Sequence, residues 1–288
     1  MHTHLPTLLL REWMQHKRGW LIAAFAPPLL FLALLPFGRV SGLPQEHPEL
    51  LALATLLVAA VSGYGICLLV ALFQLPGLAR RDVQDRSIEF WLSLPGRPSE
   101  SVAATVLAHA WLAPLGGAVA GALLGLPIAL GVLAAQGGAG MAASVPWGQV
   151  AAAAVPLLLR GLVGTLLMLL WLLPAILTLM AASAWLKRLG VPLVLVGGGV
   201  AVAVLDTAYG ISGPRQALQG LGEHINRTLV HDAPALAEAL KTGASLWQWL
   251  LHDLGGALAG LASLAFAGWL AVAAAGFALV VARRARGG

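Results

Sequence analysis

The chain has 288 residues, of which 59% are hydrophobic and 10% charged, with a mean hydropathy of +0.85. That balance excludes an ordinary soluble globular domain and belongs to a polytopic membrane protein. The net charge of +5 does not indicate nucleic acid, because the basic residues are dispersed at the ends of apolar segments, and the single cysteine, Cys67, leaves no disulfide framework or cysteine metal site.

In chain order, residues 1–18 lack the short apolar core and small-residue cleavage site of a removable signal peptide. Leu9, Leu10, Trp13 and Met14 fall on one helical face, while Arg11, Glu12, Gln15, His16, Lys17 and Arg18 fill the remainder. This pattern predicts a helix lying flat at the membrane interface, in contact with lipid, with Trp13 and Trp20 at headgroup level.

A spanning helix needs about 20 mostly apolar residues. Six segments qualify: 19–38, 50–79, 102–135, 149–186, 191–209 and 255–282. The fold class is therefore all-α, a single transmembrane unit over 1–288. Pro27, Pro28, Pro114, Pro127, Pro156 and Pro174 mark kinks, since each removes a helix hydrogen bond. Polar groups inside spans are the usual substrate-path candidates, and here they are Tyr64, Gln74 and His109. Each also suits a plain interhelical hydrogen bond. Gly116, Gly117, Gly121, Gly125 and Gly197 to Gly199 favour close helix contact. Arg160, counted back from Lys187 and Arg188, is expected to snorkel to the outer interface.

Between the second and third segments lies a charged block, 80–100, reading RRDVQDRSIEFWLSLPGRPSE. It cannot cross hydrocarbon, where each charge costs about 2.5–3.5 kcal/mol or more. Ile88, Trp91 and Leu92 stand at i, i+3 and i+4, an apolar stripe that suits the groove of a soluble partner, with Ser99 as a cap before the third span. The bland reading packs that stripe on the chain's own helix ends.

Loop charges set direction. Twelve Lys and Arg lie on one side (Arg11, Lys17, Arg18, Arg80, Arg81, Arg86, Arg97, Lys187, Arg188, Arg283, Arg284, Arg286) and four on the other (Arg39, Arg215, Arg227, Lys241). The positive-inside bias puts both termini and the charged block in the cytoplasm. The connection 206–254 then becomes an extracytoplasmic cap of amphipathic helices, around 216–229 and 233–241, followed by an aromatic stretch with Trp247 and Trp249.

Several chemistries are excluded by motif. No Gly-x-x-x-x-Gly-Lys-Ser/Thr loop and no His-Glu-x-x-His pair occur. His224 and His231 find no third ligand at helical spacing, and Ser245 with His252 lacks the glycine that a nucleophile turn needs. This chain is read as a non-enzyme.

The string Arg81-Asp82-x-x-Asp85-Arg86-Ser87-Ile88-x-Phe90-Trp91-x-Ser93-Leu94-Pro95, with the basic-ended helix at 11–18 and the six-span plan, resembles the permeases of type-2 ABC exporters. The continuation Gly96-Arg97-Pro98 and the long polar loop after the fifth span depart from that family's pattern. The resemblance implies a six-helix subunit of the bacterial cytoplasmic membrane that pairs into a homodimer or heterodimer and binds two copies of a separate ATPase. ATP and Mg would be held by that partner, and no cofactor or metal by this chain. Residues 80–95 would form the coupling helix. Asp82, Asp85, Arg86 and Glu89 would make its polar contacts with the ATPase, and Phe90 and Trp91 its apolar anchorage, flanked by Arg80, Arg81, Ile88 and Leu94. A path lined by Leu, Ala, Val and Gly suits an amphipathic or hydrophobic cargo. Three alternatives compete: an ion-coupled transporter, expected to carry acidic residues in its spans; an intramembrane enzyme, expected to carry a nucleophile–base pair or metal ligands on facing spans; and an assembly or immunity protein without turnover.

Overall fold

The computed structural model describes residues 4–38, 47–81 and 97–286. Every element among them is helical. Helix α1 runs Leu5–Leu34, α2 Pro48–Leu78, α3 Pro98–Leu107, α4 Ala113–Ser144, α5 Trp147–Leu186, α6 Gly198–Tyr209, α7 Gly213–Asn226, α8 Ala233–Thr242, α9 Leu246–Ala259 and α10 Leu264–Ala285. Five helical runs are long and apolar enough to cross a membrane: Leu5–Phe37, Pro48–Leu78, Pro98–Ser144, Trp147–Tyr209 and Leu264–Ala285. The chain is a polytopic helical membrane protein.

Several boundaries differ from those expected. The flat interfacial helix is not a separate element: residues 5–34 form one helix. Gly19 alone is too weak a breaker among good helix formers, costing about 1 kcal/mol, so the amphipathic stretch continues directly into the apolar one. Pro27 and Pro28, expected within the first span, lie inside this helix. The last apolar helix starts at Leu264, not near 255, because the Ser263 hydroxyl accepts from the Phe266 N–H and caps a new helix there. At the third run the N-cap is Arg97, and Ser99 lies in the first turn without a capping bond. A π-helical turn, Ala108–Leu112, joins α3 to α4, and α4 is kinked at Gly137 and Gly138.

The Trp147–Tyr209 run is broken at Lys187, whose φ of 56° is a conformation an L-residue seldom adopts. There the chain folds back: a Cβ on Gly190 would meet the Ala182 carbonyl oxygen at 2.2 Å. The arm that follows, from Leu193 through α6, buries no residue within the chain.

Helices α2 and α4 form the tightest pair. A Cβ added to Gly121 would lie 2.2 Å from the Ala59 carbonyl oxygen, and one on Gly117 2.4 Å from that of Gly63. Small residues here let backbones touch. Gly117, Gly121 and Gly125 thus serve the contact expected of them, whereas Gly116, Gly198 and Gly199 face open space.

Among the described residues the two larger apolar cores lie at different levels of the molecule, with a small third one at Ala24, Cys67 and Ala120. One joins Leu51 and Leu53 of α2 to Leu133 of α4, Val150 of α5 and Trp249 of α9. The other joins Leu75 of α2 and Val102 of α3 to Ile176 and Met180 of α5 and Val280 of α10. The second core lies at the end where the basic residues gather. There the Arg80 Nε donates to Ser183 Oγ at 3.1 Å, and Trp185 Nε1 donates to the Leu279 carbonyl at 3.1 Å. Helices α7 to α9 occupy the opposite end; α7 and α8 fall close to the two amphipathic stretches expected within 206–254, and α9 takes up the aromatic stretch and runs past it to Ala259.

Candidate functional site: a buried carboxylate node at the basic end

Glu12, Arg81, Thr105 and His109 are brought together by three chain segments. On α1, Glu12, His16 and Trp20 stand four residues apart and share one face. On α3 and the π-helical turn, Ser101, Thr105 and His109 repeat the same spacing. The two stripes face each other, and Arg81, at the end of the α2 segment, closes the gap between them.

The Glu12 carboxylate is fully buried. Arg81 grips it with two hydrogen bonds, Nη1 to Oε2 at 3.0 Å and Nη2 to Oε1 at 2.9 Å. Arg11 Nη2 donates to Oε1 at 2.6 Å, and Thr105 Oγ1 to the same oxygen at 3.0 Å. His109 Nε2 lies 3.3 Å from Oε2, so its N–H points at the carboxylate. His16 Nδ1 sits 3.1 Å from the Glu12 carbonyl oxygen. The His16 and His109 rings meet edge-on at 4.5 Å, and Trp20 packs on His109 at 5.0 Å.

A bidentate guanidinium–carboxylate pair fixes both partners in distance and angle. Burial raises the stakes at the node: with its donors in place the charge is compensated, and with both guanidiniums removed it is not. Glu12, His16 and His109 also present three potential metal-ligand atoms within 4.8 Å of one another. Two guanidiniums on the same carboxylate oppose a cation there, both by Coulomb repulsion and by occupying its lone pairs. The chemistry of this site is mechanical: it ties helix α1 to the residue from which the charged block departs.

The expected site residues are distributed as follows. Arg80 and Arg81 are engaged, with Ser183 and Glu12 respectively. Asp82, Asp85, Arg86, Ile88, Glu89, Phe90, Trp91 and Leu94 lie outside the described residues. Leu10, Trp13 and Met14 are exposed on α1, Leu9 is half-buried, and Lys17 and Arg18 are exposed beyond them. The substrate-path residues do not converge. Tyr64 lines a lateral apolar groove of about 530 Å³ between α2, α4 and α5, with its hydroxyl toward Met168 Sδ at 3.5 Å. Gln74 is half-buried further along α2, and His109 belongs to the Glu12 node. A second apolar groove, about 650 Å³, opens between Pro27, Pro28 and Phe31 of α1 and Thr55 and Val58 of α2.

Arg160 does not snorkel. It is buried and paired with Asp253 of α9, Nε to Oδ2 at 2.7 Å, and its Nη1 donates to the Thr228 carbonyl at 2.8 Å. Asp253 also accepts from the backbone N–H groups of His231 and Asp232. Its partner had been sought in the solvent, whereas it lies 93 residues away in the cap.

No family model, curated protein or solved structure matches this chain.

Proposed function

We propose that this chain is the membrane subunit of an ATP-driven exporter of the type-2 ABC class, moving an amphipathic or hydrophobic cargo out of the cytoplasm or inner leaflet. One observation carries the reading: the charged block at 82–96 departs from Arg81, and Arg81 is locked to a buried carboxylate on α1. A segment that docks on a soluble ATPase needs a stiff root, or its displacement is dissipated. The Glu12 node supplies that root and shares any push on the block between α1, α2 and α3.

The remaining features agree with this role. Counting the arm from Leu193 to Tyr209 as a crossing gives six spans, because the arm leaves α5 beside Ala182 and the chain rejoins α5 at Gly164, next to Thr228. Those two levels are about 27 Å apart at 1.5 Å per residue, close to the thickness of a hydrocarbon core. An even number of crossings puts both termini on one side, in the cytoplasm by the lysine and arginine bias. The mechanism is an exchange between two states, with ATP binding and hydrolysis on the partner supplying their difference in free energy. Two ATPase copies and a second permease subunit complete the assembly.

The ion-coupled alternative gains two buried carboxylates, Glu12 and Asp253. Both are already held by guanidinium groups, which leaves neither free to carry a proton or hold a cation. The export reading is tested by Phe90→Ala combined with Trp91→Ala in the purified assembly. Loss of the ATPase from a membrane domain that stays folded is expected, since one buried aromatic anchor is worth about 2 kcal/mol or more. Undiminished ATPase retention would overturn the docking role.

A further inference from the structure

At the basic end, away from the Glu12 node, the last turn of α10 meets the break after α5. Trp185 is fixed there by its indole N–H, which donates to the Leu279 carbonyl at 3.1 Å. The guanidinium groups of Arg283 and Arg286 each stand 5.5 Å from the centre of the Trp185 ring. Cation–π contact of this kind holds two arginines in one orientation instead of leaving them mobile in solvent. Lys187 and Arg188 follow Trp185 directly and are exposed. Among the described residues no acidic side chain pairs with Lys187, Arg188, Arg283 or Arg286, and the buried Nε of Arg283 has no acceptor.

The backbone supplies an independent sign. Lys187 has φ 56° and ψ −128°, a conformation that suits glycine and strains a residue with a Cβ. This backbone places the charged Lys187 side chain at the break directly after the Trp185–Leu186 turn. The same stretch carries exposed aliphatic side chains: Leu186 is 47% exposed, Leu189 72% and Leu193 57%. Cations adjoining exposed aliphatic residues in the chain, beside a tryptophan, match the headgroup–acyl boundary of a bilayer. Inorganic phosphate would use the charges but not the aliphatic side chains.

We infer that Trp185, Lys187, Arg188, Arg283 and Arg286 form a binding site for the headgroup of an anionic phospholipid in the leaflet at this end of the molecule. The phosphate takes the vacant guanidinium donors, and the acyl chains lie along Leu186, Leu189 and Leu193. The site stands on its own residues and does not depend on the export reading.

The test follows thermal unfolding of the full-length chain in a neutral detergent while phosphatidylglycerol, phosphatidylcholine or inorganic phosphate is added. Phosphatidylglycerol is expected to raise the midpoint saturably, whereas phosphatidylcholine and millimolar phosphate leave it unchanged. The variant Arg283→Gln with Arg286→Gln should lower the apparent affinity for phosphatidylglycerol, about fivefold per charge removed. Lys187→Gly should weaken lipid binding by a similar factor and raise the lipid-free midpoint, because it removes a charge and the backbone strain together. It also serves as the readout should the double arginine variant not fold. A phosphatidylcholine shift equal to that of phosphatidylglycerol would overturn the inference, as would full reproduction by phosphate, or unchanged lipid affinity in the variants.

Discussion

The pattern groups Glu12 with the polar residues of a surface helix, yet among the described residues it is the buried charge with the most hydrogen-bond donors. Replacing it by alanine removes the carboxylate on which Arg11, Arg81, Thr105 and His109 converge, and a buried pair broken this way costs about 3–5 kcal/mol. Thermal unfolding of Glu12→Ala in detergent should show that loss. Glu12→Asp, which keeps the charge but shortens the reach, should lose less. Asp253→Asn makes the matching prediction at the other end. Arg160 would keep its bond to the Thr228 carbonyl but lose its counter-charge, and the cap should become the first site of limited proteolysis. The spacing 12, 16, 20 against 101, 105, 109 is visible in the sequence as two polar stripes on apolar helices. What sequence does not contain is that they face each other, since the bonded pairs lie 93 and 97 residues apart.

At the scale of elements, hydropathy located the long helices well and their ends poorly. Helix length was decided by local chemistry that apolar counting ignores: the Ser263 cap, the Lys187 break and the direct continuation of the amphipathic stretch through Gly19 into the apolar one. The glycine pattern was more informative, because a backbone contact between α2 and α4 requires it at fixed positions. Gly121→Val should push these helices apart and cost about 1–3 kcal/mol, as overpacking does. Gly116→Ala, five residues earlier and facing open space, should leave unfolding unchanged or slightly improved. Equal damage from both would mean that the close approach of α2 and α4 is not what the glycines serve.

Across the whole molecule, the basic residues of four chain segments collect at one end through Arg81 on Glu12, Arg80 on Ser183 and Arg283 over Trp185, while α7 to α9 cap the other. This polarity was legible from loop charges alone, because insertion sorts lysine and arginine before tertiary structure forms. A cysteine placed at Ser212 should therefore react with a membrane-impermeant thiol reagent only from outside the cell. The proposed function rests on a charged segment, residues 82–96, for which an ATPase on another chain is the proposed partner. Affinity purification of the native protein from its membrane in mild detergent, with mass spectrometry and an ATPase assay, addresses that point most directly. A P-loop ATPase recovered in equal proportion to this chain, active in the preparation, is the expected result. A clean, folded preparation containing no ATPase would contradict the export assignment.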